Sequence, residues 1–136
     1  MADWRVGNVD ITKVLEMEAQ WPFAALLPGA EDLIGTHDWL APDFVTDTGR
    51  MRLSIHGLIV ESEGQTILVD TCVGNGKSRP GATPFDNLET DFLQTLSGAG
   101  FSPDDIDVVV CTHLHVDHVG WNTHLVDGEW VPTFPS

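Results

Sequence analysis

The order of hydrophobic and polar residues predicts two β-hairpins along the chain. Residues 9–17 and 52–61 have the pattern of strands, and a turn at 61–65 leads into a further strand at 66–69. The second and third of these strands therefore form a hairpin. Near the end of the sequence, Asp127 and Gly128 lie between two short apolar runs, which is typical of a hairpin with a two-residue turn.

A helix and another strand are predicted between the two hairpins. One face of the helix collects the apolar side chains of this segment, namely Leu88, Phe92, Leu96 and Ala99. Asp86, with Glu89 three residues later, is typical of a capping box at the helix start. Residues 102–105 then begin a short helical turn. The β-branched run at 106–111 that follows is typical of a strand buried on both faces, with Cys111 as a small buried apolar residue.

Four side chains that bind divalent metals follow this strand within six positions: His113, His115, Asp117 and His118. His113 and His115 are two residues apart, so in an extended segment they point the same way and can share one ion. Asp117 and His118 are adjacent residues in a turn and point elsewhere, toward a second ion. The spacing therefore predicts two neighbouring metal sites at the end of a strand.

The alternative to metal binding is that these residues have only structural roles. A single histidine is most often a core or surface residue, and a single aspartate at a strand end is most often a turn former or a helix cap. Three imidazoles and a carboxylate placed together without a cation would leave several polar groups unsatisfied, whereas a divalent ion satisfies them all. The cluster therefore favours metal binding.

Charge and composition narrow the class of substrate. The 136 residues include 6 basic and 21 acidic side chains, and the net charge of −15 repels phosphate backbones. This excludes nucleic acid as a partner and leaves a small neutral or apolar molecule as the simplest substrate. No apolar run reaches the length of a membrane span, and the N-terminus lacks the pattern of a signal peptide, so we expect a cytoplasmic protein that does not bind membranes. Two cysteines without a C-x-x-C spacing indicate neither a disulfide framework nor a zinc finger.

Two segments together carry a family resemblance. The H-x-H-x-D-H run follows a V-V-V-C-T strand, and an earlier T-I-L-V-D-T segment at 66–71 precedes both. This combination resembles the metallo-β-lactamase superfamily, whose members are mostly zinc-dependent hydrolases with an αβ/βα sandwich fold. More narrowly, the stretches at 55–57, 70–75 and 120–123 resemble the branch that contains lactonases and organophosphate and aryl-ester hydrolases.

The resemblance implies which of the four ligands bind each metal ion. His113 and His115 would hold one metal, Asp117 and His118 the other, and Asp117 would also accept a proton. The implied function is hydrolysis of a small ester, lactone or related substrate by a metal-bound hydroxide, with two Zn²⁺ ions favoured over Mn, Fe or Co. The alternatives are a non-hydrolytic metal-binding or di-iron redox module, and an inactive fragment. The family's remaining ligands come from later positions, which this sequence does not contain.

The length predicts the α/β fold of only the first half of that sandwich. Two similar halves are needed to bury both sheets, so we expect the chain to be a truncated N-terminal part of one domain, with an extension at 1–48 and the sheet, helix and metal loop at 49–136. Such a chain is expected to be inactive alone. A complete protein of 136 residues is the open alternative, since this length can bury a core.

The remaining candidates are Asp70, three further histidines and a group of large apolar residues. Asp70 ends a strand and either supports a ligating histidine through its other ring nitrogen or forms a turn with Thr71. Among the other histidines, His56 is expected to be structural, and His37 and His124 to be at the surface. Large apolar residues at 21–29, with Trp39, Leu40 and Phe44, favour a core or a homodimer contact slightly over a pocket wall.

Overall fold

The chain has a mixed α/β fold in which more residues lie in β-strands than in helices. The computed structural model describes residues 3–82 and 84–135, apart from the side chain of Glu31. The elements are β1 (Trp4–Val6), β2 (Val9–Pro22), α1 (Phe23–Leu26), β3 (Arg50–Ser62), β4 (Gln65–Val69), α2 (Phe92–Gly98), β5 (Val108–Val110), β6 (Thr123–Val126) and β7 (Glu129–Pro132). Short 3₁₀ helices lie at Glu31–Leu33, Pro103–Asp105 and Gly120–Asn122.

The first five strands form one sheet in the order β1-β2-β3-β4-β5. β3 and β4 are antiparallel, with Ser62 paired to Gln65 across the turn, which confirms the first predicted hairpin. β4 and β5 are parallel, with Ile67 opposite Val108. β6 and β7 form a separate antiparallel pair around Asp127 and Gly128, which confirms the second hairpin.

The chain divides into two units, Met1–Glu16 with Ile55–Ser136, and Met17–Ser54. The predicted division into an extension at 1–48 and a core at 49–136 stays a prediction. In the larger unit the core is built from residues of the sheet, of α2 and of the segment before β5: Val14, Ile59, Leu68, Phe92, Leu96 and Ile106. The ring of Phe92 stacks on that of Trp121 at a centroid distance of 5.6 Å, so α2 packs directly on the segment that follows the histidine motif.

β5 is not buried on both faces, contrary to the sequence prediction. Val108 is 37% exposed and Val110 is 43% exposed. Leu68 is fully buried, and it pairs with Val109 rather than with the two exposed valines. Because side chains alternate between the faces of a strand, Val108 and Val110 share a face that this unit leaves open.

Two local predictions in the larger unit are also wrong. α2 begins at Phe92 without a side-chain cap, and Asp86 instead accepts hydrogen bonds from the backbone N–H of Arg79 and the side-chain amide of Asn87. The capping box lies at the 3₁₀ helix, between Ser102 and Asp105. Cys111 is only half-buried, whereas Cys72 is fully buried, and both are free thiols. The sequence pattern missed this because β5 ends at Val110, one residue before Cys111.

In the smaller unit, the aromatic segment is more exposed than a core would be. Phe23 and Val45 are buried, but Trp39 is 64% exposed and Phe44 is 55% exposed. Trp39 stacks on His37, at 6.0 Å between ring centroids, and contacts Phe44 edge to face. The core interpretation of Trp39 and Phe44 is therefore wrong, and the homodimer contact stays a prediction. None of the helices in the described part of the chain is long and apolar enough to cross a membrane.

Candidate metal centre

The histidine motif and Asp70 meet because they follow two neighbouring parallel strands. Asp70 comes directly after β4, and Thr112 comes two residues after β5. The backbone N–H of Asp70 donates to the carbonyl of Val110 at 2.8 Å, which continues the strand pairing by one residue. The carboxyl ends of parallel strands lie at one edge of a sheet, and this edge brings Asp70 to the start of the motif.

The Asp70 carboxylate is held by Thr112 and in turn holds His118. Its Oδ1 accepts from the backbone N–H of Thr112 at 2.7 Å, and the Thr112 hydroxyl lies 2.8 Å from Oδ2. Oδ2 also lies 2.7 Å from His118 Nδ1. Burial by itself would raise the pKa of Asp70, but the hydrogen bonds from His118 and Thr112 outweigh it and lower that pKa. A charged Asp70 therefore assigns the proton of His118 to Nδ1 and leaves Nε2 free to bind a metal.

The four predicted ligands lie in two pairs of donor atoms. His113 Nε2 is 3.0 Å from His115 Nδ1, and His118 Nε2 is 3.5 Å from Asp117 Oδ2. Two ligands about 2.0–2.1 Å from one tetrahedral zinc ion are separated by roughly 3.3 Å, so the donors of each pair are spaced as ligands of a single ion. The rings of His113 and His118 are 3.9 Å apart between centroids, which makes the two pairs neighbours.

No larger ligand set forms within residues 3–82 and 84–135. In these ranges no three or more His, Cys, Asp or Glu side chains are grouped so that they could hold a metal ion. His124 is half-buried, with its Nδ1 3.1 Å from the Thr133 hydroxyl, and His37 is exposed. His56 is half-buried in β3. The donor chemistry of the two pairs fits divalent metals that bind imidazole and carboxylate, with two protein contacts for each ion.

Two residues around this cluster were missed by the sequence analysis. Thr112 belongs to the motif segment, and its hydroxyl lies 3.1 Å from Nδ1 of the adjacent His113. Its contact with Asp70, 42 positions away, depends on the pairing of β4 with β5. Glu16 in β2 accepts hydrogen bonds from the backbone of Val73 and from the indole of Trp121, which are 57 and 105 positions away in sequence. No local pattern in the sequence marks either contact.

A family model and a known protein are similar to this chain. The family model described as metallo-beta-lactamase superfamily matches residues 52–136. The N-acyl homoserine lactonase AiiB of Agrobacterium fabrum is 30% identical over 99 residues, an alignment that covers 65% of this chain and 36% of that protein. The chain thus spans about a third of the length of this relative.

Solved structures of similar fold extend over most of the chain. A probable metal-dependent hydrolase from Staphylococcus aureus has a TM-score of 0.66 and 20% identity, covering 87% of this chain and 42% of its own. AidC, a dizinc quorum-quenching lactonase in complex with a product, has a TM-score of 0.63 and 25% identity, covering 86% and 37%. The hydrolase AbOPH, described as a member of the beta lactamase superfamily, has a TM-score of 0.59 and 23% identity, covering 98% and 41%.

Proposed function

This chain belongs to the metallo-β-lactamase superfamily, and on that premise we propose that it supplies the histidine-motif half of a dizinc hydrolase acting on small lactones or esters. The observation that carries the proposal is the arrangement of the four ligands as two adjoining donor pairs, with Asp70 behind one of them. His113 and His115 would hold one ion, and Asp117 and His118 the other.

The metal ions would supply Lewis acidity, which polarises a carbonyl or phosphoryl oxygen and makes water a stronger acid. The chain's own residues prepare the ligands for this chemistry. Asp70 orients His118, and Thr112 fixes Asp70 through its backbone N–H and its hydroxyl. The carboxylate of Asp117 can accept a proton as well as bind, and its side chain is 31% exposed, so water reaches it.

Two relatives support a lactone or ester as the substrate class. One is described as an N-acyl homoserine lactonase and the other as a dizinc quorum-quenching lactonase. Both descriptions fit the small neutral or apolar molecule inferred from composition, since a net charge of −15 disfavours polyanionic substrates. We further propose that nucleic acids and membranes are not partners, that the protein works in the cytoplasm, and that it forms a homodimer.

Metal analysis tests the first half of the proposal. The purified chain is dialysed against limiting Zn²⁺, and the bound metal is measured by elemental analysis together with a visible spectrum. We expect zinc and no visible absorption, and His113→Ala together with His115→Ala should abolish binding at one pair while leaving the other. Undiminished zinc in the double variant, or strong visible absorption from iron, would contradict the assignment.

A chimera tests the substrate class. Residues 1–136 are joined to the remaining C-terminal part of the Agrobacterium lactonase, and the product is screened against lactones and aryl esters. We expect turnover, and we expect Asp117→Asn to reduce it much more than it reduces zinc content, because the amide keeps one oxygen but has no charge. Equal turnover in the Asp117→Asn chimera would refute the proton-accepting role.

A further inference from the structure

The carboxylate of Glu16 accepts hydrogen bonds from four donors, and none of these donors is a predicted metal ligand. Its Oε2 accepts from the backbone N–H of Val73 at 2.7 Å, and its Oε1 accepts from that of Gly74 at 3.0 Å. Oε1 also accepts from the indole N–H of Trp121 at 2.7 Å and from the Thr90 hydroxyl at 3.3 Å. Glu16 is the last residue of β2 that belongs to the larger unit, and its carboxylate thus connects three segments that are far apart in sequence.

Two of those stretches are joined directly to each other through their backbones. The N–H of Thr71 donates to the carbonyl of His118 at 2.9 Å. In the opposite direction, the N–H of Gly120 donates to the carbonyl of Cys72, and that of Trp121 donates to the carbonyl of Thr71, both at 2.7 Å. Hydrogen bonds with segment 71–74 therefore fix the position of the backbone at residues 118–121.

The contact between these segments leaves no space for a side chain at Gly74 or Gly120. A Cβ atom built on Gly120 would lie 1.8 Å from the carbonyl oxygen of Val73, and one built on Gly74 would lie 2.6 Å from the carbonyl of Gly120. Gly74 also has a positive φ of 76°, a conformation that glycine adopts without strain. Because the two backbones are in close contact, we expect a displacement of Val73 and Gly74 to shift Gly120, two residues after His118.

We propose that Glu16 is a positioning residue for the Asp117–His118 metal pair. Its carboxylate fixes the turn at Val73 and Gly74 and the Trp121 side chain, and these hold the backbone of His118 in the place where Nδ1 meets Asp70. The His113–His115 pair comes before segment 118–121 in the sequence, so we expect Glu16 to act mainly on the Asp117–His118 pair. The proposal rests on the metal sites of the proposed function, but its geometric part is testable without metal.

The metal-free test uses the complete 136-residue chain labelled with ¹⁵N. In Glu16→Gln, the amides of Gly120 and Trp121 should exchange with solvent at least tenfold faster, and the ring ¹⁵N shifts of His118 should move while those of His124 stay constant. Gln keeps the shape of Glu but turns one acceptor oxygen into a donor that faces a backbone N–H. Unchanged exchange and an unchanged His118 ring would overturn the proposal, even if the chain proved to bind no metal.

The zinc test uses a double-mutant cycle, with affinity measured by competition against a chromophoric chelator. We expect Glu16→Gln to weaken zinc binding by up to about tenfold, because losing a direct partner of a ligating histidine costs about 10- to 100-fold and Glu16 acts on His118 only through the backbone. This loss should persist in a His115→Ala background and vanish in a His118→Ala background. An equal loss in both backgrounds would mean that Glu16 only stabilises the fold, and the proposal would be wrong.

Two further variants complete the design. Glu18→Gln removes the same charge from an exposed residue of the same strand and should leave both measurements unchanged. If Glu16→Gln does not fold, Trp121→Phe deletes a single donor to Glu16 while keeping an aromatic ring against Phe92. That variant should weaken zinc binding about threefold in the same background-dependent way, and an unchanged affinity would count against the proposal.

Discussion

Asp70 is not one of the four predicted metal ligands, but its carboxylate orients one of them, His118. Its side chain accepts from the Thr112 backbone and lies within hydrogen-bond distance of the Thr112 hydroxyl and His118 Nδ1. These partners keep the pKa of Asp70 below its ordinary value despite partial burial. Because the charged form is favoured, the imidazole proton stays on the nitrogen that faces Asp70, and the other nitrogen is kept for a metal.

The replacement Asp70→Asn tests this role. The amide loses the charge and one acceptor, so we expect zinc affinity to fall about 10- to 100-fold, as for other partners of ligating histidines. Chelator competition measures the change, and Asp104→Asn, at an exposed aspartate near β5, is the matched control. An affinity equal to that of the unmodified chain would show that Asp70 is only a turn former.

The same variant should alter the acid limb of the stability curve. Since the folded-state pKa of Asp70 is lowered, its contribution is fully present above the ordinary carboxyl pKa and is lost as the pH falls through the folded value. The free energy of unfolding from urea titrations should therefore fall less steeply with acid in Asp70→Asn than in the unmodified chain. A steeper fall would contradict the sign of the shift.

At the scale of elements, segments 71–74 and 118–121 are in such close contact that Gly120 has no room for a side chain, and Gly120→Ala tests this contact. The new methyl group would overlap the Val73 carbonyl, so we expect the free energy of unfolding to drop by about 1–3 kcal/mol or more. Gly98→Ala, at the end of α2 with nothing within 4 Å of a new Cβ, should change it by less than about 1 kcal/mol. Urea denaturation of both variants measures the difference. Equal free energies of unfolding would contradict the close contact between Gly120 and the Val73 carbonyl.

Elements whose signals are local were predictable from sequence. The strand pattern around residues 61–65 and the Asp127-Gly128 turn each specify a hairpin through neighbouring residues, and both hairpins are present. The position of the histidine motif after a β-branched strand was predictable for the same reason. The ends of other elements differ from the prediction, since β2 extends to Pro22 and α2 starts as late as Phe92.

Features that depend on distant partners were not predictable. Asp86 and Glu89 have the spacing of a capping box, but Asp86 bonds to the loop at Arg79, and that contact decided the outcome. The β-branched composition of β5 cannot reveal that the face carrying Val108 and Val110 stays exposed. Glu16 looks like any polar strand residue until Val73 and Trp121 fold against it.

At the scale of the whole molecule, the two donor pairs limit what the chain does alone. A catalytic zinc ion normally has three protein ligands and a water, whereas each pair offers two. We therefore expect the isolated 136 residues to bind zinc weakly, at less than two ions per chain, and to hydrolyse neither lactones nor aryl esters. Tight binding of two ions with turnover of such substrates would refute this, and would point to His37, His56, His124 or a second copy as the source of ligands.

The open face of β5 should also make the isolated chain associate with itself. Val108 and Val110 are exposed on an edge strand, and apolar edges of this kind pair with other chains. Replacing both by threonine keeps the strand propensity but removes apolar surface, so the variant should be more monomeric in sedimentation velocity. Val126→Thr, at an exposed position of β6, is the control and should not change the distribution.

The parallel pairing of β4 with β5 has a consequence for how the molecule forms. Asp70 and Thr112 are 42 positions apart, so their contact exists only after a long segment of chain has closed on itself. The β3–β4 and β6–β7 hairpins need no such closure, and hairpins form in about 1–10 μs. The centre should thus be among the last parts to assemble during folding. Zinc would then slow unfolding of the finished structure without speeding the search that leads to it.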